Sequence, residues 1–462
     1  MHDRFLLAGL LAMLLPLSVG GQVRTPRPIP PNPLPYDLLL QHGRVIDPKN
    51  KIDAVVDVGM KDGKIVAVGA HLNAADAIKT LDMSRYVVIP GVIDLHGHVY
   101  ASAKDSPSFA QDISLYPDGF TLRHGVTTIV DAGGSGRKNF EDFKARIIDK
   151  SKTRVLAMVN IVGEGMRGTA FEDNLDDMDG KSTGEFAKRY PGLIVGIKCA
   201  HFTGPDWKPY DQAVIAGNIA DVPVMVDYGA RRIERPISEL FAMHLRPGDI
   251  YTHMYSGLRG EQDPATGLAS APMLLARRRG IFMDVGHGNG SFYWTVANPL
   301  VRSGYVPDSI STDLHFQSVN EGMKDILNVA DKFLALGEPL PQVIAQLTWN
   351  PAREIKQTQL GNFSPGSVAD VAVLSIEKGD FGFMDVENTR MDGHQKLICE
   401  LTILNGKVIW DLNGISVDAW DAKSRSSDAA LTRRWTTFGQ RPFAAGRDRF
   451  TVYPPVPERQ EK

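Results

Sequence analysis

Two histidines, His96 and His98, are separated by a single residue at the end of an apolar run. Side chains two positions apart on a strand lie on the same face, so both imidazoles would point the same way. Neutral imidazole is a good ligand for divalent zinc, manganese and iron ions. An H-x-H pair often occurs by chance, but further candidate ligands close later apolar runs. The pair therefore predicts a metal site at the end of a strand.

Lys198 lies inside another apolar run, IVGIKCA. Burying an unpaired ammonium group is costly, so this amine must be ion-paired, neutral or chemically modified. A salt bridge to Asp227 or Asp131 is one interpretation. The other is a carbamate formed with carbon dioxide, which would supply an anionic oxygen ligand able to bridge two metals. His253 would add an imidazole and Asp313 a carboxylate, and together these groups predict a hydrolytic site for two divalent ions.

Short apolar runs that could carry these side chains recur between residues 87 and 315. Segments of helical character separate them, at spacings of roughly 25–40 residues. The runs are VVIPGVIDLHGH, TTIVDAG, RVLAMVNIV, LIVGIKCA, VPVMVDYG, DIYTHMYSG, IFMDVGHG and SISTDLH. Each run closes on polar residues, and the carboxyl ends of all eight strands of a (β/α)8 barrel converge on one face. The pattern predicts an α/β protein with a (β/α)8 TIM barrel. A doubly wound sheet is the alternative, but no G-x-G-x-x-G follows the first strand.

Segments rich in strand signals flank this middle part on both sides. Asp62-Gly63 and Asn405-Gly406 each separate two alternating runs, which is a hairpin signal. We expect the two flanks to form one small composite β-sandwich domain. At the N-terminus, Arg4 precedes an apolar run and small residues, as in a signal peptide; a retained membrane anchor is the alternative. The predicted segments are a signal peptide at 1–22, a Pro-rich linker at 23–35, the β domain at 36–88 and 351–411, the barrel at 89–350, and a surface-wrapping or disordered tail at 412–462.

Composition limits the partners of the chain. Its 51 Lys and Arg against 54 Asp and Glu give a net charge of -3, which leaves no basic excess for binding nucleic acid. No later apolar stretch reaches the ~20 residues of a membrane helix, so no stable membrane span is expected. The signal peptide predicts a periplasmic or secreted protein. The expected partner is a small-molecule substrate, and a homo-oligomer is left open.

Seven motifs give the chain a family resemblance. They are PGVIDLHGHVY (90–100), HGVTTIVDAGGSG (124–136), IVGIKC (194–199), PGDIYTHMYSG (247–257), FMDVGHGNGSF (282–292), ISTDLH (310–315) and GNFSPGSVADVAVL (361–374). On these motifs the chain resembles the amidohydrolase superfamily of metal-dependent hydrolases, and within it the amidohydrolase/deacetylase family, which is dihydroorotase-like. The resemblance runs from about residue 36 to residue 410, so it does not depend on a single motif.

The resemblance implies a metal site as well as a fold. His96 and His98 would bind one metal, carboxylated Lys198 would bridge two, and His253 would bind the second. Asp313 would be both a ligand and the catalytic acid/base. The implied cofactors are one or two divalent metal ions, with zinc favoured, and carbon dioxide as the lysine carbamate.

One residue departs from the family pattern. The family usually has a histidine at the end of strand five, where this chain has Asp227. Asp227 is therefore a candidate ligand of the second metal through oxygen; alternatively, that metal is weakly held or absent. His201 could substitute from the loop, although strand alternation points it away from Lys198.

The resemblance suggests hydrolysis of the amide or ester bond of a small N-acyl amino acid or related acyl compound. Four residues that follow strand ends are predicted to line the substrate pocket: Tyr100, Asn160, Arg167 and His287. Arg167 could hold a substrate carboxylate with its planar guanidinium, or it could be a solvated loop arginine. Two other functions stay open. One is a cyclic-amide hydrolase or dipeptidase of the same superfamily, and the other is a non-catalytic binding barrel with a degenerate metal site.

Overall fold

The computed structural model describes residues 33–101, 103–104, 112–229 and 231–420. The predicted signal peptide, most of the linker and most of the tail lie outside these ranges. The strands are β1 Tyr36–Asp47, β2 Ile52–Lys61, β3 Lys64–Gly69, β4 Ala77–Asp82, β5 Val87–Pro90, β6 Val92–Gly97, β7 Val126–Gly136, β8 Arg154–Asn160, β9 Ile194–Cys199, β10 Val224–Val226, β11 Ile250–Tyr251, β12 Phe282–Met283, β13 Val371–Met384, β14 Arg390–Leu404 and β15 Lys407–Asp411.

The α-helices are α1 Phe140–Phe143, α2 Thr169–Glu172, α3 Gly180–Ala187, α4 Lys208–Ala220, α5 Ile237–Glu239, α6 Ala271–Arg278, α7 Trp294–Arg302, α8 Ile326–Ala335, α9 Leu340–Leu347 and α10 Trp349–Glu354. Two π-helical turns continue α1 and α5, at Lys144–Ile148 and Leu240–His244. Single 3₁₀ turns lie at Ala74–Asp76, Pro117–Gly119, Leu122–His124, Leu175–Asp177 and Ser318–Asn320. Within the described ranges, none of these helices is long and apolar enough to cross a membrane.

Strands β6 to β12 form a parallel sheet in which each strand pairs with the next along the chain. The predicted eighth strand is an extended segment at 309–314. It is joined to its neighbours by isolated bridges, Asp284 to Ser309 and Gly97 to Leu314. Asp313 has a φ of 53°, in the left-handed region, and so interrupts regular strand geometry there. The segment still closes the sheet, and the (β/α)8 TIM barrel predicted from the sequence is confirmed.

The first apolar run is divided between two sheets. Strand β5 pairs with β1 and β13 outside the barrel, whereas β6 is the first barrel strand. Gly91 lies between them. A Cβ at this position would lie 2.2 Å from Thr127 Oγ1 and 2.8 Å from Asp370 Cβ, so only glycine fits where the chain passes from one sheet to the other.

Both flanks of the chain build one mixed sheet outside the barrel. Its strand order is β15-β14-β13-β5-β1-β2-β3, and β4 pairs with β1. The two predicted hairpins are present: Asp62 and Gly63 have φ of 49° and 73°, and Asn405 and Gly406 have φ of 50° and 73°. Two consecutive positive φ values match the type I′ turn that such pairs favour. Apolar side chains from both flanks form the core of this sheet, so the N- and C-terminal flanks fold as one composite β unit.

Candidate metal centre and substrate pocket

His96, His98 and Asp313 meet where the first barrel strand adjoins the closing segment. Their ligand atoms all lie within 4.8 Å of one another, which makes them the one such group of three in the described part of the chain. Asp313 Oδ1 is 2.9 Å from His98 Nε2 and 3.5 Å from His96 Nε2. Two imidazoles and a carboxylate are the donor set of many zinc sites. The side chains present therefore fit the divalent ion that the sequence predicts.

His96 is oriented by groups on its far side. The Oγ1 of Thr252 donates a 2.7 Å hydrogen bond to Asp284 Oδ2, so it accepts from His96 Nδ1, 3.0 Å away. The proton of His96 is thereby fixed on Nδ1, and Nε2 carries the free lone pair. Burial, reinforced by the charge of Lys198, lowers the pKa of His96 to about 3. The ring is therefore neutral, as a metal ligand must be.

The position of the Asp313 carboxylate depends on a left-handed backbone conformation and on the nearby Gly288. Besides its left-handed φ, its Oδ2 lies against Gly288, where a Cβ would come within 2.3 Å of that oxygen. Burial disfavours the charge of Asp313. However, the neighbouring imidazoles of His96, His315 and His98 hold the pKa of this carboxyl well below its usual range. Asp313 is consequently ionised and able both to bind a cation and to accept a proton.

Lys198 is fully buried beside the group formed by His96, His98 and Asp313. Its Nζ lies 3.1 Å from His96 Nε2 and 3.5 Å from Met225 Sδ. Among the described residues, its side chain forms no salt bridge, so the interpretation that Asp227 or Asp131 pairs with it does not apply. Asp131 instead accepts hydrogen bonds from nearby backbone N–H groups. Burial lowers the pKa of the Lys198 amine although the surrounding carboxylates oppose this, and a neutral amine is the form that reacts with carbon dioxide.

Asp227 follows the fifth barrel strand and lies between two imidazoles. Its Oδ2 is 3.1 Å from His201 Nε2 and 3.3 Å from His253 Nε2, and its Oδ1 accepts from Arg259 Nη2 at 2.9 Å. His201 has a φ of 58°, so strand alternation does not set the direction of its ring, which contacts Asp227. Burial opposes the charge of His201, but the carboxylates of Asp227 and Glu172 raise its pKa to about 10.

A pocket of about 240 Å³ opens over these groups. Its lining includes side chains from both sides of the metal centre: His98, His201, Asp227, His253, Arg259 and Asp313. Sequence reasoning did not single out Arg259. This arginine lies in the loop after the sixth barrel strand. Its ion pair with Asp227 joins positions 32 residues apart in the sequence, which no local pattern indicates.

Two of the residues predicted to bind substrate are held in the walls of the barrel instead. The hydroxyl of Tyr100 donates to Asp142 Oδ2 at 2.8 Å, and its side chain is buried. Asn160 is also buried, and its amide donates to the backbone oxygen of Gly133 at 3.2 Å. Both side chains satisfy loops around the strand ends, and neither is among the described residues that line the pocket. Their role in binding substrate stays a prediction.

The other two predicted substrate residues also lie away from the pocket lining. Arg167 donates from Nη1 to Glu164 Oε2 at 2.9 Å and covers the ring of Phe171. His287 is fully buried and stacks on Phe292 with a centroid distance of 4.7 Å, while its Nε2 lies 2.5 Å from Lys332 Nζ. His287 therefore supports the loop that carries Gly288, and the described lining comes from later residues of that loop.

The barrel, the composite β unit and the His-His-Asp group together define a metal-dependent hydrolase. A protein from Brucella anthropi named deacetylase is 33% identical to the chain over 347 residues, covering 72% of this chain and 82% of the relative. No family model matches the chain. On the likeness to this relative, the chain belongs to the amidohydrolase superfamily, among its deacetylase and dihydroorotase-like members.

Solved structures agree with this assignment. A crystal structure of an adenine deaminase superposes on this chain with a TM-score of 0.75 at 26% identity. The superposition covers 82% of this chain and 100% of the deaminase chain. A crystal structure of a dihydroorotase gives a TM-score of 0.70 at 28% identity, with 81% and 99% covered. The protein is therefore an enzyme, a hydrolase that acts on carbon–nitrogen bonds.

Proposed function

We propose that this protein is an exported deacetylase that hydrolyses the acyl bond of a small N-acyl amino acid or related acyl compound. The observation that carries the proposal is the convergence of His96, His98 and Asp313 at the carboxyl ends of the barrel strands, beside the buried Lys198, whose Nζ lies 3.1 Å from His96 Nε2. In barrels of this kind, that face carries the active site. The relative named deacetylase supports the reaction class, and the size of the pocket suits a small substrate.

The proposed chemistry divides between the cation and the side chains. A bound divalent ion, with zinc as our proposal, would polarise the scissile carbonyl and lower the pKa of the attacking water. His96 and His98 would hold that ion through neutral nitrogens. Asp313 directs Oδ1 toward both imidazoles, which leaves Oδ2 to take the proton of the water and to return it to the departing amine.

Lys198 is proposed to be carboxylated. Its support is the combination of complete burial, a lowered amine pKa and no salt-bridge partner among the described residues. A carbamate would place a negative charge beside the imidazoles and supply oxygen ligands for the ion. In Lys198→Ala we expect bound metal to fall, and short-chain carboxylic acids supplied in the buffer should restore part of it. Metal content equal to that of the unmodified chain would contradict this role.

A substrate screen tests the proposed function. The metal-loaded enzyme would be given N-acetyl amino acids of both configurations, acyl esters, hydantoins, dihydroorotate and dipeptides, in the presence of bicarbonate. We expect turnover of the acyl compounds, loss of turnover on chelation and recovery with zinc. Cyclic amides as the only substrates would favour the second candidate, a cyclic-amide hydrolase, which the likeness to a dihydroorotase supports. A chain that binds no zinc, manganese or iron would overturn both proposals.

A further inference from the structure

We propose that a second cavity, beside the substrate pocket, binds a carboxylate, and that this carboxylate is a distal acid group of the substrate, as in an N-acyl derivative of an acidic amino acid. The cavity has a volume of about 480 Å³. Its described lining lies between residues 231 and 238 and between residues 259 and 272, after the fifth and sixth barrel strands; we call it the side cavity. The inference rests on the proposed function, because it names the substrate class of the same catalytic centre.

The charge of the side cavity is the first support. Its described lining contains three arginines, Arg231, Arg232 and Arg259, against a single carboxylate, Asp263. Of the three, Arg259 is already paired with Asp227. The planar guanidinium of an arginine donates two parallel hydrogen bonds to one carboxylate, so the remaining arginines favour a ligand of that kind.

The guanidinium groups of Arg231 and Arg232 are open to a ligand. Neither side chain has a hydrogen-bond or ion-pair partner in the described part of the chain. Arg231 is exposed and Arg232 is half-buried. The carboxylate of Asp263 is engaged elsewhere, since its Oδ1 accepts from the backbone N–H groups of Ala265 and Thr266, both at 3.0 Å. The donors of the two arginines are therefore available to an anion.

Ser270 is an independent indication of a ligand. This residue lines the side cavity and is only 7% exposed, and its Oγ is buried without a hydrogen-bond partner among the described residues. Ser270 is the N-cap of α6, yet its side chain makes no capping hydrogen bond. Pro272, at the second helical position, has no N–H to offer it. A buried hydroxyl without a partner is rare, and a ligand oxygen in the side cavity would supply one.

The first turn of α6 adds a favourable field. Helix α6 begins at Ala271, which lines the side cavity together with Ser270. The N-terminus of a helix carries a partial positive charge and attracts anions. No acidic residue lies in the first turn of α6, so this charge is not neutralised within the helix. The helix end, the Ser270 hydroxyl and the two arginines all favour the same negatively charged group.

A shared wall assigns the carboxylate to the substrate. Arg259 lines the substrate pocket, together with His98 and Asp313, and it also lines the side cavity. A substrate with its acyl bond at the metal centre would extend past Arg259 and place its distal carboxylate at Arg231 and Arg232. A free anion in the side cavity is the alternative source of the same chemistry.

Kinetics on a matched pair of substrates tests the inference. N-acetylglutamate and N-acetylglutamine, in both configurations, differ in a distal carboxylate or amide. The metal-loaded full chain would be compared with the double variant Arg231→Gln, Arg232→Gln and with the control Arg85→Gln, an exposed arginine of the β unit outside the side cavity. We expect the unmodified chain and the control to prefer the glutamate. The double variant should lose about 10–100-fold in kcat/KM for the glutamate and keep its kcat/KM for the glutamine.

The outcomes separate this inference from the proposed function. No preference in the unmodified chain, or an equal preference in the double variant, would overturn the side cavity as a substrate site. Calorimetric titration with inorganic phosphate examines the free anion: phosphate binding that needs the two arginines, without a preference for the glutamate, would also overturn the inference. If neither compound is hydrolysed, the proposed function fails for this pair. Calorimetric binding of the glutamate then supports the side cavity if the double variant abolishes it, and overturns the side cavity if it does not.

Ser270→Ala separates a binding role from a structural one. Because the hydroxyl makes no capping hydrogen bond, its loss should leave the midpoint of thermal unfolding unchanged. We expect KM for N-acetylglutamate to rise about 3–10-fold, while KM for N-acetylglutamine stays constant. A lower unfolding midpoint with both KM values unchanged would assign the hydroxyl to the fold and overturn its place in the site.

Discussion

Replacing Gly288 by alanine should inactivate the enzyme through Asp313 without removing any functional group. A Cβ at position 288 would lie 2.3 Å from Asp313 Oδ2 and 3.3 Å from its Cγ. Ordinary carbon–oxygen contacts are at least about 3.4 Å, so the carboxylate must move by about 1 Å. A displacement of that size at a reacting group costs about 100-fold in rate. The φ of 52° at Gly288 adds a destabilisation of about 1–2 kcal/mol for alanine.

Gly304→Ala is the matched control for this experiment. It adds the same methyl group at a glycine that also has a positive φ, 86°, but a Cβ at position 304 would meet nothing within 4 Å, and the residue is not among those that line the pocket. We expect kcat for the best N-acyl substrate to fall about 100-fold in Gly288→Ala and to stay within about twofold in Gly304→Ala. Thermal unfolding and zinc content, measured on both variants, separate displacement of Asp313 from loss of fold or metal. If Gly288→Ala kept the kcat of the control, the role given to the Asp313 carboxylate would be refuted.

Three further predictions concern the core, the metal support and export. Burial raises the pKa of Asp331 to about 8 from 3.8, so between these values the folded chain keeps a proton that the unfolded chain releases. Asp331 therefore lowers stability as pH rises from 5 to 7, by about 1.4 kcal/mol per unit, and Asp331→Asn should remove this slope in urea unfolding. Thr252→Val removes the acceptor for His96 Nδ1, and we expect zinc affinity to fall about 10–100-fold in equilibrium dialysis; unchanged affinity would contradict the support. Export predicts a mature N-terminus near residue 22 in a periplasmic fraction, whereas an intact Met1 in the mass spectrum would contradict it.

Local rules made part of the fold and of the site predictable. Asp62-Gly63 required only that two adjacent residues tolerate positive φ, and the hairpin formed at that pair. His96 and His98 depended only on the two-residue period of a strand, and both reach the same carboxylate. The barrel itself followed from the repetition of apolar runs. For the hairpin and the histidine pair, the determining pattern lies within a few residues of the chain.

The rest depended on contacts that no local pattern contains. His201 contacts Asp227 because of a left-handed backbone at a non-glycine residue, which alternation cannot indicate. Tyr100 and His287 follow strand ends as predicted, yet the polar atoms of their side chains contact residues of helices, Asp142 and Lys332, outside the pocket lining. A position after a strand end predicts proximity to the active face. It does not predict whether the side chain turns into the pocket or into the wall.

The closing segment of the barrel also has a consequence for folding. It joins β6 by an isolated bridge rather than a regular ladder, and Thr312 contacts the backbone of His96 across 216 residues of sequence. An ion held by His96, His98 and Asp313 would therefore link the first and the last strand of the barrel. Because these ligands meet only in the folded chain, the ion would bind the folded state and raise the free energy of unfolding. Amide hydrogens at this seam should exchange with deuterium faster in the metal-free protein, and metal loading should slow them more than those of the hairpins in the β unit.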